Sequence, residues 1–184
     1  MEAFLVSTGL VALAEIGDKT QLLALVLAAR FRKPIPIILG ILVATLLNHA
    51  LAGAAGAWLS HVVGDRAMRW ALGLSFIAMA VWMLIPDKYE EQQDCKPRFG
   101  VLATTLVAFF LLEIGDKTQI ATVALAAKYQ ALLAVVTGTT LGMMVANVPA
   151  VLLGEVAATK LNVRMVQRIA AAIFAVLGVL VLMS

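Results

Sequence analysis

Six apolar runs, near residues 3 to 29, 35 to 59, 67 to 85, 99 to 127, 131 to 154 and 165 to 183, occupy nearly the whole of this chain. A helix crosses the hydrocarbon core of a bilayer with about 20 mostly apolar residues, so each run has spanning length and little sequence remains for loops. With 62% hydrophobic and 14% charged residues and a mean hydropathy of +0.99, a water-soluble globule would have no interior large enough for its apolar surface. The expected fold is therefore an all-α membrane protein of six transmembrane helices. Pro34 and Pro36 mark the start of the second run, Pro86 the end of the third and Pro97 the approach to the fourth, places where a missing backbone donor is tolerated. The first run lacks a positively charged leader and continues through Glu15 and Asp18 to Ala29, so it reads as a retained helix rather than a signal peptide.

The basic residues lie mainly between the runs, as membrane orientation requires. One face receives Arg30, Arg32, Lys33, Lys88, Lys96, Arg98, Lys160, Arg164 and Arg168; the other receives Arg66, Arg69 and Lys128. Positive loops stay in the cytoplasm, so both chain termini are expected outside and the polar stretch 87 to 98 inside. No basic stretch with interleaved aromatics suggests a nucleic-acid partner. The single cysteine, Cys95, has no intramolecular partner and fits a reducing compartment.

A shift of 98 positions lays Glu15-Ile16-Gly17-Asp18-Lys19-Thr20-Gln21 over Glu113-Ile114-Gly115-Asp116-Lys117-Thr118-Gln119 without a mismatch, and pairs Gly40 with Gly138, Gly56 with Gly154 and Arg66 with Arg164. Apolar bias does not place glycine, aspartate, lysine and glutamine in one fixed order, so the halves are read as a duplication. The organisation is a first three-helix repeat at 1 to 86, a cytoplasmic linker at 87 to 98 and a second three-helix repeat at 99 to 184. Three spans per half is an odd number, which makes the pair an inverted repeat. Transporters built this way hold their substrate near the membrane midplane, where the halves meet.

The two blocks carry Glu15, Asp18, Lys19, Glu113, Asp116 and Lys117 to the centres of the first and fourth runs. A charge there costs roughly 2.5 to 3.5 kcal/mol, about 15 to 20 kcal/mol for the set, so these groups must face one another, water or a bound ion. Glu and Asp three positions apart would share a helix face. Four carboxylates with no Cys or His in either block suit a hard cation such as calcium, magnesium or manganese. Gly17 and Gly115 weaken the helix between the acidic partners, which could free carbonyls there. Four carboxylates and two lysines sum to minus two, which one divalent cation or two protons would neutralise. The plainer reading is that Asp18 with Lys19, and Asp116 with Lys117, are buried ion pairs that only hold helices together. That reading leaves Glu15 and Glu113 without a role, and makes the lysines counter-charges rather than ligands.

These residues resemble the cation/proton antiporter family defined by two Glu-x-Gly-Asp-(Lys or Arg)-(Thr or Ser) motifs, which includes Golgi calcium and manganese transporters of eukaryotes and manganese exporters of bacteria. Both motifs match without departure, and the likeness covers the whole chain. The resemblance implies that Glu15, Asp18, Glu113 and Asp116 bind the metal and take part in proton coupling, with Thr20, Gln21, Thr118 and Gln119 as secondary candidates. It implies transported manganese or calcium with protons as counter-ion, and no resident cofactor. The short chain looks like a prokaryotic member in the cell membrane, for which manganese export is the better expectation.

Outside the motifs, Asn48 and His49 lie in the second run, and the shift pairs His49 with Asn147 in the fifth. Asn48 and Asn147 either line the same cavity or bond neighbouring helices; His49 reads first as a packing residue. Pro149 should bend the fifth helix. Gly138 with Gly142, and Ala52 with Gly56, suit close helix packing within the monomer. His61, Asp65 and Glu155 are solvated span ends, and Asp87, Glu90, Glu91 and Asp94 a solvated linker. The competing functions are a passive divalent-cation channel, an intramembrane enzyme and an assembly subunit; no nucleophile and base pair supports an enzyme. The expected partners are the divalent cation, protons and the lipid bilayer, with the chain a monomer or a homo-oligomer.

Overall fold

The structure, a computed structural model, describes residues 1–85, 100–153 and 163–183. The expected linker at 87–98 lies outside the described residues, as do Pro86, Pro97, Gly154, Glu155 and Lys160. Within them the chain forms α1 (Glu2–Glu15), α2 (Lys19–Phe31), α3 (Pro34–Val62), α4 (Asp65–Met83), α5 (Gly100–Glu113), α6 (Lys117–Tyr129), α7 (Leu132–Leu153) and α8 (Val163–Met183). All regular structure among the described residues is helical. Helices α3, α7 and α8 are long and apolar enough to cross a membrane, and α5 is a shorter apolar helix. Large aliphatic side chains such as Leu47, Leu51, Leu111, Leu152 and Leu180 are exposed on the outer surface, as befits a surface solvated by lipid.

One expectation needs correction. Residues 3 to 29 and 99 to 127 each read as a single helix, but each is two helices separated by three residues. The break falls at Gly17 and Gly115, both with positive φ. The glycines therefore do more than weaken the helix; they end it.

The 98-residue shift reappears in the order of the helices. Every helix of the first half begins 98 residues before its counterpart in the second. Helices α2 and α6 stop alike: Arg32 and Gln130 take the left-handed conformation at φ 51° and 50° and return their N–H groups to the carbonyls of Ala28 and Ala126. That is the common way of satisfying a helix's last carbonyls, here without the usual glycine.

Packing between the halves is reciprocal. Helix α3 lies against α5, and α7 against α1. At the first crossing a Cβ on Gly40 would stand 2.9 Å from the Leu102 carbonyl and close to Thr105; at the second, a Cβ on Gly138 would stand 2.6 Å from the Phe4 carbonyl and close to Ser7. All these residues are equivalent under the 98-residue shift. A contact that recurs with the partners exchanged is the mark of two-fold symmetry. Where α4 meets α8, Phe76 faces its own counterpart Phe174, ring centroids 6.2 Å apart, so the dyad passes near this pair. Gly142 also admits α1, with the Thr8 carbonyl 2.5 Å from where a Cβ would lie. Gly56 does the same for α6 at the Val123 carbonyl. The expected packing roles of these glycines hold.

Candidate metal centre

The sequence Glu15-Ile16-Gly17-Asp18 folds as a type II turn. Ile16 has φ −65° and ψ 116°, Gly17 has φ +79°, and the Asp18 N–H donates to the Glu15 carbonyl at 3.0 Å. Such a turn needs a positive φ at its third residue, which glycine adopts without steric cost. The second copy repeats it, with Gly115 at φ +76° and the Asp116 N–H 3.0 Å from the Glu113 carbonyl. Each turn is stapled by its glutamine: Gln21 Oε1 accepts the Gly17 N–H at 2.9 Å and Gln119 Oε1 accepts the Gly115 N–H at 2.7 Å. Gln21 also donates through Nε2 to the Ala146 carbonyl of α7 at 3.0 Å. That carbonyl lies one turn before Pro149, which sits within α7. The glutamines, read from sequence as secondary ligands, spend their carbonyl oxygens on the turn.

Because the helix is interrupted between them, Glu15 and Asp18 do not share a helical face as the spacing suggested. The glutamate ends α1 and the aspartate is the N-cap of α2. The turn brings their carboxylates together nonetheless. Glu15, Asp18 and Asp116 each offer an oxygen, and these oxygens lie within 4.8 Å of one another, all three residues buried. Calcium–oxygen bonds of about 2.3 to 2.6 Å span up to roughly 5 Å between ligands, so one ion could touch all three. Neither aspartate spends its side chain capping its own helix, yet both lie beside helix N-termini, whose partial positive charge favours anions.

The lysines correct the plainer reading. They reach across between the blocks: Lys19 Nζ is 2.8 Å from Asp116 Oδ1, and Lys117 Nζ is 3.4 Å from Asp18 Oδ1. The crossed arrangement again obeys the two-fold. It ties each half to the other at the carboxylate cluster, while Glu15 keeps Oε1 without a hydrogen-bond partner among the described residues.

Around the glutamates the symmetry fails. Glu15 accepts a short hydrogen bond at Oε2 from the Thr20 hydroxyl of its own block. Glu113 lies outside the three-carboxylate group and is held by α3 instead, with Thr45 Oγ1 donating to Oε1 at 3.0 Å and Asn48 Nδ2 to Oε2 at 3.4 Å. Asn48 also donates to the Phe110 carbonyl at 3.0 Å. The Thr118 hydroxyl lies 3.4 Å from Asp116 Oδ2. At the positions in α7 equivalent to Thr45 and Asn48 stand Met143 and Ala146, which offer no side-chain donor. Asn147 turns back on its own helix, donating to the Met143 carbonyl at 3.1 Å and its sulfur at 2.9 Å, so it makes no hydrogen bond to the cluster. His49 is fully buried, with neither ring nitrogen hydrogen-bonded among the described residues. Thr45 was missed in sequence because its partner under the shift is methionine; a threonine one turn before Asn48 and His49 in an apolar helix was the available signal.

A family model described as divalent cation/proton antiporter GDT1 matches residues 3–91 and 101–184. A Vibrio cholerae protein named "Putative manganese exporter" is 51% identical over 179 residues, covering 95% of this chain and 87% of that one. A "GDT1-like protein" of Synechocystis is 29% identical over 195 residues, covering 95% of this chain and 93% of that one. A "GDT1-like protein 3" of rice is 26% identical over 199 residues, covering 94% and 71%. No solved structure matches the chain.

Proposed function

The chain belongs to the GDT1 family of divalent cation/proton antiporters, and from that premise we propose that it is a secondary transporter of the cell membrane that expels manganese from the cytoplasm in exchange for protons. The observation that carries this reading is the gathering of Glu15, Asp18 and Asp116 around one buried point, crossed by Lys19 and Lys117. The name of the Vibrio cholerae relative supports manganese as the substrate, and oxygen ligands suit it.

In this reading α1 with α2, and α5 with α6, each make one discontinuous span. Their 14 and 13 residues at 1.5 Å apiece reach roughly 40 Å, enough for a hydrocarbon core of about 30 Å. Six spans then form two inverted three-helix repeats, 1 to 86 and 99 to 184, joined by a cytoplasmic linker at 87 to 98, with both termini outside. The two-fold reciprocity of the Gly40 and Gly138 crossings supports a dyad in the membrane plane. Glu15, Asp18 and Asp116 are the ligands of the conformation described. Glu113 is the fourth carboxylate, held by Thr45 and Asn48 until the halves rearrange. The metal and the protons compete for one set of carboxylates, so a near-neutral site alternates between the two faces.

The test is transport by protein reconstituted in sealed liposomes, with manganese, calcium and magnesium offered in turn and internal pH followed. A proton gradient should drive manganese uphill and collapse as it does so. A protein that only dissipates a manganese gradient, without moving protons, is a channel and refutes the proposal. Exchange abolished by Glu15→Gln with Glu113→Gln also separates the transporter from an assembly subunit.

A further inference from the structure

A second charged feature shares no residue with the carboxylate cluster. The three basic residues of the lightly charged membrane face, Arg66, Arg69 and Lys128, lie far apart in sequence yet line one cavity of about 650 Å³. It sits where the α3–α4 connection meets the C-terminal ends of α6 and α8. Among the described residues Asp65 is the acidic one in its lining, which leaves these with a net charge of plus two. None of the three cations forms an ion pair among the described residues. The Nε of Arg69 is buried and makes no hydrogen bond there, although a desolvated donor normally finds an acceptor. Lys128 rests over the Tyr129 ring at 5.2 Å.

An apolar cleft of about 200 Å³ continues from this cavity along α3, α4 and α6. The two share Met68, Leu72 and Ala127 in their walls, and the cleft adds Leu59, Val63 and Val123. A basic cavity at the helix ends that opens into an aliphatic cleft matches the polarity of a phospholipid, an anionic head joined to a hydrocarbon chain. Guanidinium groups match phosphate oxygens in two-pronged geometry, and a cavity of this volume lies within the range that small ligands occupy. A soluble anion would use the upper part alone and leave the cleft without purpose.

We propose that this composite cavity binds an anionic phospholipid, its phosphate held by Arg66, Arg69 and Lys128 and the start of one acyl chain lying in the cleft beside α3. The site is independent of the transport reading, since it shares no residue with the carboxylate cluster.

The experiment is native mass spectrometry of the full chain in detergent, titrated with dioleoylphosphatidylglycerol or dioleoylphosphatidylcholine. Wild type should retain the anionic lipid in preference to the zwitterionic one. Arg66→Gln, Arg69→Gln and Lys128→Gln should each weaken retention about fivefold, the effect of roughly one basic contact at a membrane surface. Lys33→Gln, outside the cavity, should retain lipid as wild type does. Ala71→Trp adds bulk at an exposed position lining the cleft; it should lower retention with all three cations in place. Size exclusion of each variant reports whether it folds, and Ala71→Trp carries the test if Arg69→Gln does not fold. Equal retention by wild type and folded Arg69→Gln overturns the proposal. So does complete displacement of the lipid by inorganic phosphate together with no effect of Ala71→Trp, which would mark a soluble-anion site.

Discussion

The two turn glycines share a motif and a backbone conformation but not an environment, so a matched pair of alanine substitutions separates backbone strain from packing. A Cβ on Gly115 would meet nothing within 4 Å, whereas one on Gly17 would overlap the Val163 side chain at the start of α8. Placing an L-residue in the left-handed conformation costs about 1 to 2 kcal/mol, which should lower transport by Gly115→Ala about 5- to 30-fold if the turn must close to gather the carboxylates. Gly17→Ala carries the same strain plus an overpacking cost of about 1 to 3 kcal/mol, a total of roughly 2 to 5 kcal/mol. Removing the obstruction should remove the excess. Gly17→Ala with Val163→Ala is therefore expected to return to the level of Gly115→Ala, and Gly115→Asn should lose less than Gly115→Ala because asparagine tolerates this conformation. The assay is proton-driven manganese accumulation in liposomes, normalised to protein surviving a thermal challenge before size exclusion. Undiminished transport by Gly115→Ala would refute the turn as the device that positions the site, and equal losses for the two alanines, or no rescue by Val163→Ala, would refute the packing difference.

Three further outcomes follow from the same geometry. Thr45→Val removes a hydroxyl that donates to Glu113; a hydrogen bond contributes about 0.5 to 1.5 kcal/mol, so the balance between this conformation and one that releases Glu113 should move about 2- to 13-fold, read as a changed concentration of manganese at half-maximal rate, with Thr45→Ser close to wild type. The shorter ion pair belongs to Lys19, whose side chain is 24% exposed, and the longer to Lys117 at 4%; burial should outweigh distance, and Lys117→Met should lower thermal stability by about 3 to 5 kcal/mol while Lys19→Met costs less. Gly40→Ala and Gly138→Ala both press on a backbone carbonyl, at 2.9 and 2.6 Å; each should destabilise by about 1 to 3 kcal/mol, Gly138→Ala the more, as read from the apparent melting temperature.

Much of this protein was legible in its residues because membrane folding leaves so few alternatives. Apolar runs of spanning length dictate helices, since every backbone polar group must be satisfied within its own segment. An exact repeat of Glu, Gly, Asp, Lys, Thr and Gln at a 98-residue shift announced a duplication and a hard-cation chemistry, and the family match agrees with it. Residue spacing could not foresee that glycine would end each helix outright, because turn or kink depends on the φ the packed chain allows at Gly17 and Gly115. Nor could it tell whether Lys19 would serve Asp18 or Asp116, since adjacent charges in sequence say nothing of which half lies opposite. Identical blocks also concealed an unequal site. Only the packing of α3 and α7 decided that Glu113 meets Thr45 and Asn48, where the equivalent positions of α7, Met143 and Ala146, have no side-chain donor for Glu15, because a side chain's partners come from whichever helix lies beside it in space.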